Sequence, residues 1–502
     1  MTSFQPFADY EEHDAVGLAE FVSKGEVHPG ELVEAAIGRI EARNPQINAV
    51  IRRRFAEARS QAVAPLPDGP FAGVPFLIKD LAFAEGELVA LGSVFFRDYR
   101  ADTTSALIER FQAAGLISLG RTNTPELGLL PTTEPTLYGP TANPWNLAHS
   151  PGGSSGGAAA AVAAGMVPMA HASDGGGSIR IPASACGLFG LKPTRGRTPQ
   201  RPLSGPDGLP VGLCVSRSVR DSAHLLDAVH GAVRGDRWHA PSPAGSFAEA
   251  ARRHPPRLRI AYTIHDFGGR RVHRDVAEAV LSTARLCEEV GHEVIEDRPA
   301  IDRQQMAASF LLLWEAVPAS VFQLILEEAG GQLAGRLLRK LGDWRAIRLI
   351  ARIDSHKSKR PAFEPFTWAL AKRAHSTRSG ELAMAYGQLQ AITYEVADFL
   401  ENVDLFLSPT LGAPPVRTGA IDQEIDLDDL IAQLVEYVEF TPLANFTGFP
   451  AMSVPLHWNE AGLPIGSHFL GRFGEEETLL GLAGQLESAR PWWGKRPELG
   501  GI

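Results

Sequence analysis

Between Ala142 and Arg197 the chain interleaves glycine, serine and proline with short apolar runs, and no other stretch restricts the fold as much. Its first half holds "SPGGSSGGAAAAVAAG", Ser150 to Gly165, with three serines and five glycines around an alanine run. Its second half holds "MVPMAHASDGGGSIRIPAS", where an apolar run reaches the tight turn "DGGGS" ending at Ser178. Glycine reaches positive φ and permits close backbone approach, so such a segment holds backbone in special conformations around a site. The run from Ala158 to Ala170 is 13 residues long and broken by Gly165 and Pro168. That is too short to span a bilayer, and it reads as a buried helix followed by a strand.

Two serines compete as nucleophile. Gly152 to Gly156, "GGSSG", matches a G-x-S-x-G elbow with Ser154 at its centre. An elbow needs a strand immediately before it, and "NPWNLAHSP" is polar, aromatic and proline-ended. It also needs a downstream histidine, and none of His171, His230, His273 or His468 has a local context that picks it out. In the "DGGGS" turn, three consecutive glycines leave their N–H groups free of side-chain cover. Gly175, Gly176 and Gly177 can then converge on a developing oxyanion while Ser178 attacks the carbonyl held there. A plain glycine-rich surface turn is the alternative reading.

A serine hydroxyl needs a base, and "GVPFLIKD" puts Lys79 at the end of an apolar segment. Desolvation there favours the neutral amine, which can take a proton and return it to a leaving amine. A Lys79–Asp80 surface charge pair is the competing interpretation. It is weakened by composition: only 8 of the 48 basic residues are lysines, so a lysine at an apolar position is less expected as a random surface charge.

"GVPFLIKD", the stretch "TANPWNLAHSPGGSSGG" through "SDGGGSIRIPASACGLFGLKPTRGR", and "NFTGFPAMSVPL" followed by "GLPIG" together resemble the amidase signature family. The resemblance runs from about Gly17 to Leu499, densest between Lys79 and Arg197 and thin across the middle helical region. It implies a Ser–cis-Ser–Lys triad: Ser178 as acylated nucleophile, Ser154 as bridging serine after a cis peptide bond, and Lys79 as terminal base. It implies an oxyanion hole at Gly175–Ser178, a supporting hydroxyl on Ser155, and an Asp174–Arg180 pair bracing the turn. The segment Glu126–Gly139, with Leu129, Leu130, Thr132 and Tyr138, is implied to line the pocket. The motifs are most like bacterial acylamidases, in the branch that contains 6-aminohexanoate cyclic-dimer hydrolase; aryl acylamidases and carbamate-splitting relatives are similar. The glutaminase subunit of tRNA-dependent amidotransferases typically has Gln where this chain has Ile181, which disfavours that alternative. A catalytically silent homologue is disfavoured because all three triad positions are filled.

The expected architecture is one α/β/α sandwich spanning 1–502, around a large mixed, mostly parallel sheet, because strands interleaved with helices favour a covered sheet. A helical insertion over about 304–401 is expected near the site, its Leu, Phe and Trp content suiting an uncharged, partly apolar ligand. An N-terminal helix is expected to stop at Asn44–Pro45. The net charge of −10 argues against nucleic acid, which needs a basic surface. Three cysteines without CxxC spacing give neither a disulfide framework nor a metal site, and with no signal peptide in view they point to a reducing cytoplasm. The expected partner is a small amide or carbamate, with no cofactor, metal, nucleic acid or membrane span; a homodimer is allowed.

Overall fold

The computed structural model describes residues 4–202, 208–330 and 343–499. A three-stranded sheet is formed by β1 (Val50–Arg53), β2 (Pro75–Lys79) and β3 (Ile117–Thr122), in the order β1-β3-β2. The larger sheet comprises β4 (Met169–Asp174), β5 (Phe189–Lys192), β6 (Val211–Ser216), β7 (Arg259–Tyr262), β8 (Glu293–Glu296), β9 (Leu405–Pro409), β10 (Ala451–Trp458) and β11 (Pro464–Gly471). Its order is β4-β6-β5-β10-β11-β9-β7-β8. This is the expected α/β class with a large mixed sheet, but parallel pairing is confined to β9-β7 and β7-β8. The other five pairings are antiparallel, so the sheet is not mostly parallel. Local patterning identifies strands; it does not carry their direction or order.

The alanine run forms the Gly156–Ala163 helix, whose residues through Val162 are all buried. A helix apolar on every side belongs inside a core. Its small residues let it pack against β2, β4 and β6 together. The helix thereby seats Ser154 and Ser155, at its leading end, between the strand carrying Lys79 and the strand leading to the glycine turn. The N-terminal helix Pro29–Ile47 runs past Pro45, ending three residues later than expected. Asn44 explains the extension: its side chain accepts from Ala49 and Val50 amides and donates to the Val50 carbonyl, tying the last turn to β1.

Helices Arg303–Gly330, Asp343–Ser358, Pro365–Ser376 and Ser379–Asn402 fill the region between β8 and β9. Over Arg303–Glu327 the first is long and apolar enough to cross a membrane by length and composition, a candidate the expectation of no span had overlooked. In the structure it packs against Pro365–Ser376 and Ser379–Asn402.

Candidate active site

Lys79 ends β2, a strand buried along its whole length. Its Nζ lies 2.8 Å from Ser154 Oγ, 2.8 Å from Ser155 Oγ and 3.1 Å from Ser173 Oγ. Burial, partly offset by the Asp174 carboxylate, pushes its pKa from 10.5 down to about 7. Ser155 donates its hydroxyl hydrogen to the Ser173 carbonyl at 3.2 Å, so toward Lys79 it can only accept. A neutral amine that donates to Ser155 and Ser173 keeps its lone pair for the Ser154 hydroxyl. The Gly153–Ser154 peptide is cis. Gly153 could be nothing else, because a Cβ there would stand 2.5 Å from the Thr132 carbonyl oxygen and 2.7 Å from that of Leu130.

Asp174 ends β4, and the turn from Gly175 to Ser178 leads into the Arg180–Cys186 helix. Asp174 and Arg180 are wholly buried and paired through Nη2 and Oδ1 at 2.9 Å and through Nε and Oδ2 at 3.0 Å. Burial would raise the carboxyl, but the Arg180 charge and hydrogen bonds prevail and hold it well below the usual carboxylate range. Arg180 also donates to His468 Nε2 at 2.9 Å. That makes Nε2 the acceptor, so Nδ1 carries the proton toward Ser408 Oγ at 3.0 Å. Burial and the Arg180 charge lower the His468 pKa, consistent with a neutral ring. His468 is therefore structural, as is His171, whose pKa burial above all pushes down to about 3.

The oxyanion assignment narrows. The Gly177 N–H donates to Asp174 Oδ1 at 2.7 Å and so faces away from any substrate. The amides of Gly175, Gly176 and Ser178 are the ones not committed to Asp174. Thr441 Oγ1 donates to the Gly176 carbonyl at 2.8 Å, and Asn445 donates to the Asp174 carbonyl and carboxylate at 2.9 Å each. A Cβ on Gly177, where φ is +130°, would collide with Thr441 Oγ1. Sequence reasoning missed Ser173, Thr441 and Asn445. The i, i+4 spacing of Thr441 and Asn445 on one short helix was the only available signal for the last two.

Ser178 is nearly buried and faces a cavity of about 840 Å³, counting its open mouth, together with Gly153, Gly176 and Ile181. The hydrogen-bond chain from Lys79 reaches Ser154, and among the described residues none continues from Ser154 to Ser178. Leu129 and Leu130 line the cavity as expected. Thr132 and Tyr138 do not: Thr132 packs its backbone against Gly153, and the Tyr138 hydroxyl accepts from Arg52 Nε at 2.9 Å. Phe310, Leu311 and Trp314 of the Arg303–Gly330 helix and Phe366 of the Pro365–Ser376 helix complete one wall. Leu434 and Val435 of the Leu427–Val438 helix supply another. Among the described residues no cluster of three or more His, Cys, Asp or Glu is placed to hold a metal.

A sequence model described as Amidase matches residues 31–480. The chain belongs to the amidase family. This amidase is 36% identical to the 6-aminohexanoate-cyclic-dimer hydrolase of Pseudomonas sp. (strain NK87), across 97% of this chain and 96% of that protein. A solved 6-aminohexanoate cyclic dimer hydrolase matches it with a TM-score of 0.85 at 34% identity, covering 98% of this chain and 99% of the other. A bacterial aryl acylamidase of the amidase signature family matches with a TM-score of 0.80 at 28% identity, covering 96% of each. The amidase is a hydrolase of amide C–N bonds, of the family whose members carry a Ser–cis-Ser–Lys triad.

Proposed function

We propose that Ser178 is the acylated nucleophile of this amidase and that Ser154 and Lys79 move its proton. The observation that carries this is a fully buried Lys79 whose amine, with a pKa near 7, lies 2.8 Å from Ser154 Oγ behind the serine-bearing turn. Ser178 Oγ adds to the substrate carbonyl as its proton passes to Ser154 and the Ser154 proton passes to Lys79. The Gly175, Gly176 and Ser178 amides stabilise the tetrahedral oxyanion. Lys79 then returns the proton through Ser154 to the leaving nitrogen, the C–N bond breaks, and an ester on Ser178 remains. Water enters by the same relay, releasing the acid and restoring Ser178. The Asp174–Arg180 pair braces the turn, and Ser155 orients the lysine.

The substrate is a small, uncharged amide, and carbamates and esters with comparable flanking groups are accepted. Ile181 lies at the cavity wall where the amidotransferase reading needs Gln, which supports a hydrolase acting alone. The chain works as one catalytic unit with the helices of about 304–401 as its cap, in the cytoplasm, where its three buried cysteines stay reduced. The test is Ser178→Ala, expected to abolish turnover, beside labelling of wild type with a fluorophosphonate. The adduct is expected on Ser178 by peptide mass spectrometry; an adduct on Ser154 would move the nucleophile and overturn the assignment.

A further inference from the structure

Two aromatic rings of the cap stand against the glycine turn. Phe310 and Trp314, one helical turn apart on the Arg303–Gly330 helix, stack with ring centroids 5.5 Å apart. A Cβ on Gly176 would lie 3.3 Å from Phe310 Cζ and 3.5 Å from Trp314 Cζ3, and one on Gly175 would lie 3.5 Å from Trp314 Cζ3. The ring pair therefore covers the backbone that would hold the substrate's carbonyl. Two of the polar side chains at the cavity wall already have partners. The Trp314 Nε1–H donates to the Leu129 carbonyl at 3.2 Å. The single carboxylate at the wall, Glu439, accepts from Phe267 N at 2.7 Å and from Arg303 Nε at 2.8 Å.

We propose that Phe310 and Trp314 form the specificity wall of this enzyme, selecting a single amide or related carbonyl flanked by an aryl or long alkyl group. The inference rests on Ser178 being the nucleophile. An apolar group beside the carbonyl gains by leaving water for the ring pair, and it keeps water from the oxyanion amides. A cyclic diamide places a second amide against the apolar side chains of Leu311, Phe366, Leu434 and Val435. An amide buried there without a partner is disfavoured. On this reading the enzyme departs from the substrate that names its 36%-identical relative.

The experiment compares kcat/KM for two p-nitroanilide or N-alkyl acetamide series, one lengthening the acyl group and the other the amine, beside 6-aminohexanoate cyclic dimer. For wild type, kcat/KM is expected to rise with chain length in at least one series, with the longest member about 10- to 100-fold above the cyclic dimer, the range that an apolar pocket resolves. Trp314→Ala and Phe310→Ala are expected to lose about 10-fold or more on the longest member, mainly through KM, while changing N-methylacetamide, which carries neither an aryl nor a long alkyl group, about 3-fold or less. Trp314→Phe is expected to restore most of the difference, and it keeps the test valid if the alanine variants fold poorly. Equal losses on short and long members would make the rings structural and overturn the proposal. So would a cyclic dimer turned over as fast as the best apolar amide. Residual turnover in Ser178→Ala would instead overturn the nucleophile assignment, so the two failures are distinguishable.

Discussion

As the proposed terminal base, Lys79 would work only as a free amine, and its burial sets where on the pH axis that would happen. Its pKa is depressed to about 7, so protonation below that point would remove the lone pair facing Ser154 and is expected to stop acylation. The expected profile of kcat/KM falls tenfold per pH unit below about pH 7 and is flat above it, measured from about pH 5 to about pH 10 on one amide. Lys79→Ala is expected to lose about 10²–10⁴ on amides and less on a matched ester, whose leaving group depends less on protonation. Lys79→Arg stays charged throughout and is expected to rescue nothing; near-wild-type amide turnover in that variant would reduce Lys79 to a structural cation. Thr441 acts at one remove, through the Gly176 carbonyl. Thr441→Val is expected to lower kcat about 10-fold, less than losing an oxyanion donor outright, with KM and the pH midpoint unchanged. Thr441→Ser should restore the rate, and a shifted pH midpoint would contradict a role confined to the turn. The grouping of Lys79, Ser154, Ser178, Asp174 and Arg180 followed from a resemblance carried by contiguous motifs, and the structure brings Lys79 to Ser154 and Arg180 to Asp174. The direction of the Gly177 amide was not legible in the sequence, because it depends on a backbone turn closing on Asp174.

At the level of elements, the strand-turn-helix from β4 to Cys186 is organised by one carboxylate. Asp174 accepts from the amides of Gly177 and Ile179 and from the Arg180 guanidinium, so it fixes the turn and neutralises a wholly buried charge. Asp174→Asn keeps the shape and leaves Arg180 uncompensated, which is expected to destabilise folding by about 3–5 kcal/mol. Urea titration should show a lowered midpoint, and an unchanged midpoint would mean the pair does not hold the turn. The start of the Pro365–Ser376 helix is tied to the loop before Leu129 by another buried carboxyl. Glu126 accepts from Ser93 Oγ at 2.6 Å, Glu364 N at 2.7 Å and Thr367 Oγ1 at 2.5 Å. Burial and the neighbouring Glu364 push its pKa up to about 8. In the loop that follows, the resemblance put Leu129, Leu130, Thr132 and Tyr138 at the pocket; Leu129 and Leu130 do face the cavity, whereas Tyr138 turns away to Arg52, a side-chain direction no motif encodes.

Across the whole molecule, the chain builds two sheets rather than the one expected: β1, β3 and β2 stand apart, and the C-terminal strands β9, β10 and β11 join β4 to β8 in the larger sheet. What local pattern could not provide was their neighbours: β5 at Phe189–Lys192 lies beside β10 at Ala451–Trp458, and β4 beside β6. The site has the same character, drawing Lys79, the serine-rich stretch and Thr441–Asn445 from distant parts of the chain. That separation has a consequence in time. Asn445 is 271 residues downstream of the Asp174 it holds. At about 5–20 residues per second of synthesis, roughly 14–54 s pass between the emergence of one and the other. A nascent chain in that interval carries Lys79, Ser154 and Ser178 without the Thr441 and Asn445 contacts to the turn. Ribosome-bound chains stalled before Phe440 are expected to escape labelling by a fluorophosphonate, while chains stalled beyond the last strand and its following helix react. Labelling of the shorter chains would show that the nucleophile is armed before its brace arrives. Silence of the shorter chains would make the order of translation a safety catch on this hydrolase.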